Sequence, residues 1–503
     1  MSTPVDPSTP VLVGVGQASD VFGESDYAML SSADLAAAAA RAAISDAAGT
    51  SIADLVEVVA CVRPMELSTP LPKPFGISKA FPLSVADAAG LHPEHAILEV
   101  VGGQSPQKLV SEFAGRIARG QHRAVLLAGG ESLSTQAHFA GREDGPDFSD
   151  DPQGEWVDRG AKWEGLLDDN QIAHALFIMS TTYALMDHAR RARLGMTVEE
   201  YRHEIGRLFE PFSQVAAGNP FASARTARTA AELATVSEKN PLISDPYTRW
   251  VVAREKVNLG AAVLLMSVEA ARAAGVPEEK WVYLHGYADG AELPFLDRPE
   301  LSRGPVAVRA AEQALEMAGI GACDLTALDL YSCFAIPVFN IADALGIAID
   351  DPRGLTVTGG LPFFGGPGNN YSMHAVVEMV NRLRAAPGGY GFVGANGGAM
   401  HKYSVGIYST NPAGWPGDVA PLVDEGERLP VVWEAEGAGV VETYSYSGDG
   451  QLGTVIGRLD GGERFVAHVP TEDPLFDLMR SGEAIGATVK ATTAEGINTV
   501  RLA

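Results

Sequence analysis

The stretch Leu98-Glu99-Val100-Val101-Gly102-Gly103-Gln104-Ser105-Pro106-Gln107 decides the fold. An apolar, strand-like run breaks at two glycines, and the Ser-Pro pair that follows reads as the first turn of a helix. Such a junction aims backbone N–H groups and the positive end of a helix at one point, which suits a nucleophile or an oxyanion. Here glycines occupy the apex, and no nucleophile sits on it.

Working outward, the junction belongs to an internal repeat. Residues 33–62 read as an Ala-rich helix, a turn and a strand ending at Cys61, and residues 308–334 repeat that order, ending at Cys333. A glycine-rich turn, a long amphipathic helix and an apolar strand follow each copy, over residues 102–131 and 365–398. Strands alternating with helices of this length imply parallel pairing through helical crossovers, with both sheet faces buried. Two such units predict a pseudo-twofold, layered α/β core.

Residues 1–134 and 250–290 are assigned to the first half and 291–412 to the second. Between them, 135–249 break the rhythm with an acidic stretch, a helical section from about Asn170 to Phe212 and a loop rich in Gly, Ser, Thr and Pro. An insertion of this length with its own helices reads as a cap over a site. Residues 409–418 form a connector, and in 418–503 short alternating runs punctuated by Gly and Asp predict a small antiparallel barrel.

Composition excludes several function classes. The 503 residues carry a formal net charge of -26, which repels nucleic acid and anionic lipid. The barrel region, 416–503, holds 15 Asp/Glu against 6 Arg/Lys, a net of -9, so a single-strand-binding reading of the barrel is rejected too. Cys61, Cys323 and Cys333 are too few for a disulfide framework, and His92, His95 and His122 have no metal-ligand spacing, so no metal site is expected. No membrane span or signal segment is read in the chain, and the expected location is cytoplasmic. The glycine loops lack phosphate-loop and dinucleotide fingerprints, so no bound cofactor is expected.

The order of the segments "GGQSPQ", "LLAGGESLS", "VNLGAAVLLMS", "LYSCFA", "GGLPFFGGPGNN" and "GANGGA" resembles the thiolase superfamily over residues 8–412. It is most similar to the branch called thiolase-like proteins type 1, which carry an extra C-terminal domain; the tail resembles the OB-like domain beside some of them. The resemblance implies a duplicated five-layer thiolase fold, two βαβαβ halves with an inserted loop region, plus a small C-terminal β-barrel. It implies a CoA thioester as substrate or ligand, and a homodimer or a monomer.

Laid on the family's loops, the nucleophilic cysteine falls on Gly103. The loop that reads Asn-Glu-Ala-Phe or His-Asp-Cys-Phe in relatives is Tyr331-Ser332-Cys333-Phe334, Gly-His-Pro is Gly365-Gly366-Pro367, and Cys-x-Gly is Ala395-Asn396-Gly397. Ping-pong acyl transfer needs a covalent acyl carrier, so ordinary thiolase activity is not expected. The backbone N–H groups of Gly103 and Gly397 remain available to hold a thioester carbonyl. A reaction needing an enolate but no nucleophile is aldol or retro-aldol chemistry on a 3-hydroxyacyl thioester.

The candidate catalytic residues are His374, Tyr331, Tyr371 and His401, with Gly103, Ser105, Cys333, Gly366, Asn396 and Gly397 lining the substrate. Tyr371 and His374 stand one turn apart near the start of a helix and share a face. Packing competes with each: a backbone-bonded helix histidine, a core tyrosine, a strand-end His401, a small buried Cys333. Two alternatives stay open: an acyltransferase using Ser105 or Cys333 as nucleophile, and a non-catalytic acyl-CoA or lipid-binding scaffold.

Overall fold

The structure is a computed structural model that describes residues 5–70, 72–161 and 167–503. The Ala-rich run becomes the helix Ser32–Asp46, opened by a capping box between Ser31 and Asp34. Its small side chains have a partner feature in the sheet. A Cβ on Gly14, Gly16, Gly130 or Gly260 would collide with the backbone of this helix, so glycine on the strands and alanine on the helix let the two layers touch. Gly286 faces the carbonyl of Ala314 in the same way in the second half. The duplication seen in sequence thus extends to the packing device.

The main sheet runs in the order 325–329, 390–397, 402–409, 282–291, 10–19, 258–267, 124–132, 58–61, 95–98 and 157–158. Parallel pairing is confined to Val58–Cys61 with its two neighbours, Leu325–Asp329 with Tyr390–Gly397, and two short edge pairings. The parallel pairs join the two strands of each repeat, as their helical crossovers require, and the remaining ladders of this sheet are antiparallel. The strand Val282–Ala291 pairs along its length with Lys402–Ser409 and meets the first half only at Val11 and Leu12. The second half therefore begins with this strand, some nine residues before the boundary at 291.

The helices Ser105–Ala118 and Tyr371–Ala385 lie against each other between the two half-sheets, while Ser32–Asp46 and Pro305–Ala318 cover the outer faces. The result is the five-layer α/β/α/β/α architecture of thiolases. A central helix in such a stack is buried all round over its first two turns: Tyr371 through Val377 are all buried. The inserted region supplies the helices Met179–Leu194 and Val198–Gly218.

At the C-terminus, Gly437–Tyr446, Gly453–Leu459, Arg464–Val469, Ile497–Leu502 and Thr488–Ala494 close a five-stranded barrel with its own apolar core around Tyr444, Phe465 and Phe476. Its first strand starts later than residue 418, since Leu422–Val423 still pairs with Gly290–Ala291 of the main sheet. The barrel packs on the inserted helices: Thr443 donates to the Leu185 carbonyl (2.6 Å), and the Asn498 N–H donates to His174 Nε2 (2.9 Å). No helix among the described residues is long and apolar enough to cross a membrane.

Candidate functional site

The Gly102-Gly103 turn is pinned from the opposite half. Gly102, at φ +134°, adopts a backbone conformation that favours glycine, and its N–H donates to Asn369 Oδ1 (3.1 Å). Asn369 in turn donates to the Arg63 carbonyl (2.8 Å) and the Ser68 hydroxyl (3.1 Å), and Ser372 donates to the Gly103 carbonyl. The Gln104 side chain folds back to fill the space beside Gly102 and Gly397, with its Oε1 buried and unpartnered. Among the described residues the Gly103 N–H has no hydrogen-bond partner, so a free donor points from this turn.

What faces the turn is a phenol. A Cβ built on Gly103 would overlap the Tyr331 hydroxyl and lie 2.6 Å from the Asn396 carbonyl oxygen. The side chain of Tyr331 thus occupies the volume a nucleophile on residue 103 would need. Burial pushes its pKa well up, so the hydroxyl keeps its proton. Its ring meets Tyr371 edge-on at 5.5 Å.

Beside it stands a cluster that the sequence did not reveal, centred on Tyr183 of the inserted helix. The Tyr183 hydroxyl donates to the Gly398 carbonyl and accepts from Asn396 Nδ2 (2.8 Å) and the Met400 N–H (3.3 Å); its ring stacks on Phe334 at 4.5 Å. Cys333 reaches the same group, hydrogen-bonded to Tyr183 and Asn396, yet burial pushes its thiol up to about 12. A thiol so placed is a poor nucleophile at neutral pH. Ser105 is fully buried and donates to the Val100 carbonyl (2.9 Å), which ties it to the backbone and does not present it to a substrate.

The other sequence-predicted residues lie elsewhere. The Tyr371 hydroxyl donates to Asp329 Oδ1 (3.0 Å) and lies 2.6 Å from the Thr358 hydroxyl, so it is fastened under the strand Leu325–Asp329. His374 is fully buried against Phe364, with Nδ1 2.6 Å from Gln17 Oε1, and burial pushes its pKa down to about 3. Among the described residues no hydrogen bond joins His374 to the Gly103 turn. His401 sits past Gly397; burial, with Arg298 and Lys402 nearby, pulls it down to about 4. Gly366 keeps room around it: a Cβ would meet Leu361 at 3.3 Å and Ala253 at 3.5 Å. No group of three or more His, Cys, Asp or Glu among the described residues is placed to hold a metal.

A cavity of about 270 Å³ opens next to the Gly366 turn, lined by Ser223, Arg225, Arg228, Trp250, Arg254 and Phe363 among others. The Arg228 guanidinium lies 3.4 Å from the Trp250 ring centre. Partial burial and the like charges of Arg249 and Arg228 pull the Arg254 pKa down. The backbone here leads inward: the Arg254 carbonyl accepts from Gly366 (2.8 Å), and the Ala253 N–H donates to the Cys333 carbonyl (3.1 Å). The arginines that line this cavity form a local positive patch on an acidic chain.

Among solved structures, a monomeric SCP2-thiolase-like protein type 1 from Mycobacterium smegmatis is 44% identical over 99% of this chain and 100% of its own, with a TM-score of 0.85. This chain belongs to that thiolase-like family. The dimeric peroxisomal thiolase of Saccharomyces cerevisiae (15% identity, 81% of this chain and 98% of that one, TM-score 0.57) shares its fold. So does an Ltp2–ChsH2 (DUF35) aldolase (21% identity, 80% and 98%, TM-score 0.57). No family model and no curated protein sequence matches the chain. In this thiolase-like chain the five-layer core and the barrel follow the family, while the Gly103 turn holds a phenol over a glycine.

Proposed function

We propose that the protein binds an acyl-CoA thioester and makes or breaks a carbon–carbon bond of its acyl chain, in the manner of an aldolase or retro-aldolase. The observation that carries this reading is the Tyr331 hydroxyl seated over Gly103, a neutral proton carrier where the nucleophile would stand. The CoA phosphates sit among Arg225, Arg228 and Arg254, with the adenine on Trp250, and the pantetheine runs along Ala253 towards Gly103. The Gly103 N–H donates to the thioester oxygen.

In the cleavage direction the Cα–Cβ bond of a 3-hydroxyacyl thioester breaks, its electron pair becomes the thioester enolate, and the Cβ–O bond becomes a carbonyl. The hydroxyl proton leaves Cβ–OH and a proton arrives at Cα. Tyr331 passes its proton to Cα and takes up the one from the hydroxyl, so the buried phenol finishes as it began and no net ionisation is required. A covalent acyltransferase is the weaker reading because Ser105 is tied to backbone and Cys333 holds its proton.

A panel of 3-hydroxyacyl-CoAs tests the proposal by mass spectrometry of the shortened thioester and the released carbonyl compound. The parent cleaves at least one member, and Tyr331→Phe lowers the rate by ~10²- to 10⁴-fold while the Kd for the thioester stays within a few-fold. Tight binding with no turnover of any member replaces the enzyme by a scaffold; a stoichiometric acyl adduct in intact mass replaces it by the acyltransferase.

A further inference from the structure

Two buried arginines link the barrel to the wall of the candidate site. Arg464, on a barrel strand and 1% exposed, is held within the barrel by Glu442, which pairs with its Nε at 2.6 Å, and donates outside the barrel to the carbonyls of Leu296 (2.8 Å), Arg298 and Pro299 (3.5 Å). The loop it grips carries Arg298, which is 2% exposed. Arg298 donates to the Leu293 carbonyl (2.9 Å) and across to the carbonyls of Ala399 (3.1 Å) and Met400 (3.2 Å). Those carbonyls belong to the turn that follows Asn396-Gly397-Gly398, and Tyr183 binds the same turn.

A buried guanidinium is expensive unless it is paired, and no carboxylate among the described residues lies within ion-pair distance of Arg298, Glu292 acting on it only from further off. Its nearest polar partners are carbonyls, and Nη1 has none. We infer that Arg464 and Arg298 act in series as positioning residues, through which the C-terminal barrel holds the Asn396–Met400 turn over Gly103. The barrel is then part of the machinery that shapes the site, and the fusion of the two domains has a mechanical reason.

That Asn396–Met400 faces substrate rests on the proposed function; the hold itself does not, so the experiment reads it in the ligand-free protein. Hydrogen exchange of the full chain is followed in the segment 396–401 and, separately, in the barrel strands. Arg464→Met raises exchange of 396–401 by about tenfold or more, with the barrel strands unchanged. Arg298→Met does the same, and the double variant exchanges no faster than Arg298→Met, as expected for two links in one chain. If Arg464→Met loosens the barrel itself, Arg464→Lys decides: the ammonium keeps the pairing with Glu442 but loses the planar fork, so 396–401 exchanges faster over an intact barrel. Unchanged exchange of 396–401 over an intact barrel, or additive effects in the double variant, overturns the inference. With a cleavable thioester in hand, Arg464→Lys lowers kcat more than it raises KM; a loss of turnover in the parent would refute the proposed reaction while leaving the exchange result standing.

Discussion

Gln104 lies over Gly397 so closely that a Cβ on the glycine would overlap its Oε1, just as Tyr331 overlaps the Cβ position of Gly103. Of the positions where the thiolase resemblance expects reactive groups, Gly103 is therefore filled by a neighbour's side chain, and reinstating the family residue there meets a steric obstacle, while Gly397 is the glycine of the Cys-x-Gly loop and must stay a glycine to seat Gln104. At Gly366 a Cβ would meet only the flexible end of Leu361 closely, at 3.3 Å.

Gly103→Ala is expected to cost about 1–3 kcal/mol through overpacking. Measured against Tyr331→Ala alone, the same substitution costs less, and the remainder reflects the Asn396 carbonyl, which is backbone and cannot rotate away. Gly366→Ala stays within about 0.5 kcal/mol of the parent. Thermal melts of the parent, the three single variants and the double variant check this, and equal losses at 103 and 366 would contradict the crowding described.

Tyr183→Phe removes the one oxygen that joins Gly398, Met400, Asn396 and Cys333. The Met400 N–H and the Gly398 carbonyl keep the bond between them (2.9 Å), so the loss falls on the buried Asn396 amide and costs about 1 kcal/mol. The loss is larger than for Tyr371→Phe only if the Gly398 turn also loosens, which exchange at 396–401 would show. A Tyr183→Phe protein as stable as the parent would mean that these groups re-pair locally.

The sequence carried the fold further than the site. The alanine and glycine periodicities announced two like halves because both are dictated by close layer contact, and that contact leaves the same trace in each copy. Tyr331, Asn396 and Gly103 were legible as loop residues of a family pattern, and they do meet. His374 and Tyr371 were chosen from a shared helix face, but a helix buried on all sides has no face that separates site from core. Tyr183 and Arg298 left no signal: each acts through backbone carbonyls distant in sequence, and such partners have no side-chain signature to read.

The cationic mouth gives an ionic-strength test. If CoA phosphates sit among Arg225, Arg228 and Arg254, the Kd for CoA or a non-cleavable thioester rises with salt, and Arg228→Ala or Trp250→Ala each weakens binding about tenfold. Isothermal titration at two salt concentrations measures it. Salt-independent binding, or full affinity in both variants, would move the ligand elsewhere.

Covering of the sheet edge gives a prediction on assembly. The strand His95–Leu98 would be an open edge, but Val157–Asp158 pairs with it, held by Arg63 on Asp158 and by Arg159 on Glu99 and Glu112. A monomer is expected at micromolar concentration by sedimentation velocity. Arg159→Ala, which leaves the buried Glu99 with Lys108 alone, exposes the edge and promotes self-association. A parent that sediments as a dimer would show that another surface is used.

Glu292 supplies a pH test with a defined sign. It is 4% exposed; Oε1 accepts the Ala307 N–H (3.0 Å) at the first turn of Pro305–Ala318, and Oε2 has no partner. Burial outweighs the Ala307 N–H and Arg298 and raises its pKa to about 7 from an ordinary 4.5. The folded state thus holds the proton over a range in which the unfolded chain has released it. Stability from this group is complete below about 4.5 and is lost as pH rises through 7. Glu292→Gln keeps the bond to Ala307 and cannot ionise, so the melting temperature of the variant minus that of the parent should climb by a few degrees between pH 4.5 and pH 8 and then level off. Taking the difference cancels the other groups that titrate in the same window. A difference that stays flat across this range would show that the Glu292 carboxylate finds a partner once ionised, with the Arg298 guanidinium the nearest candidate.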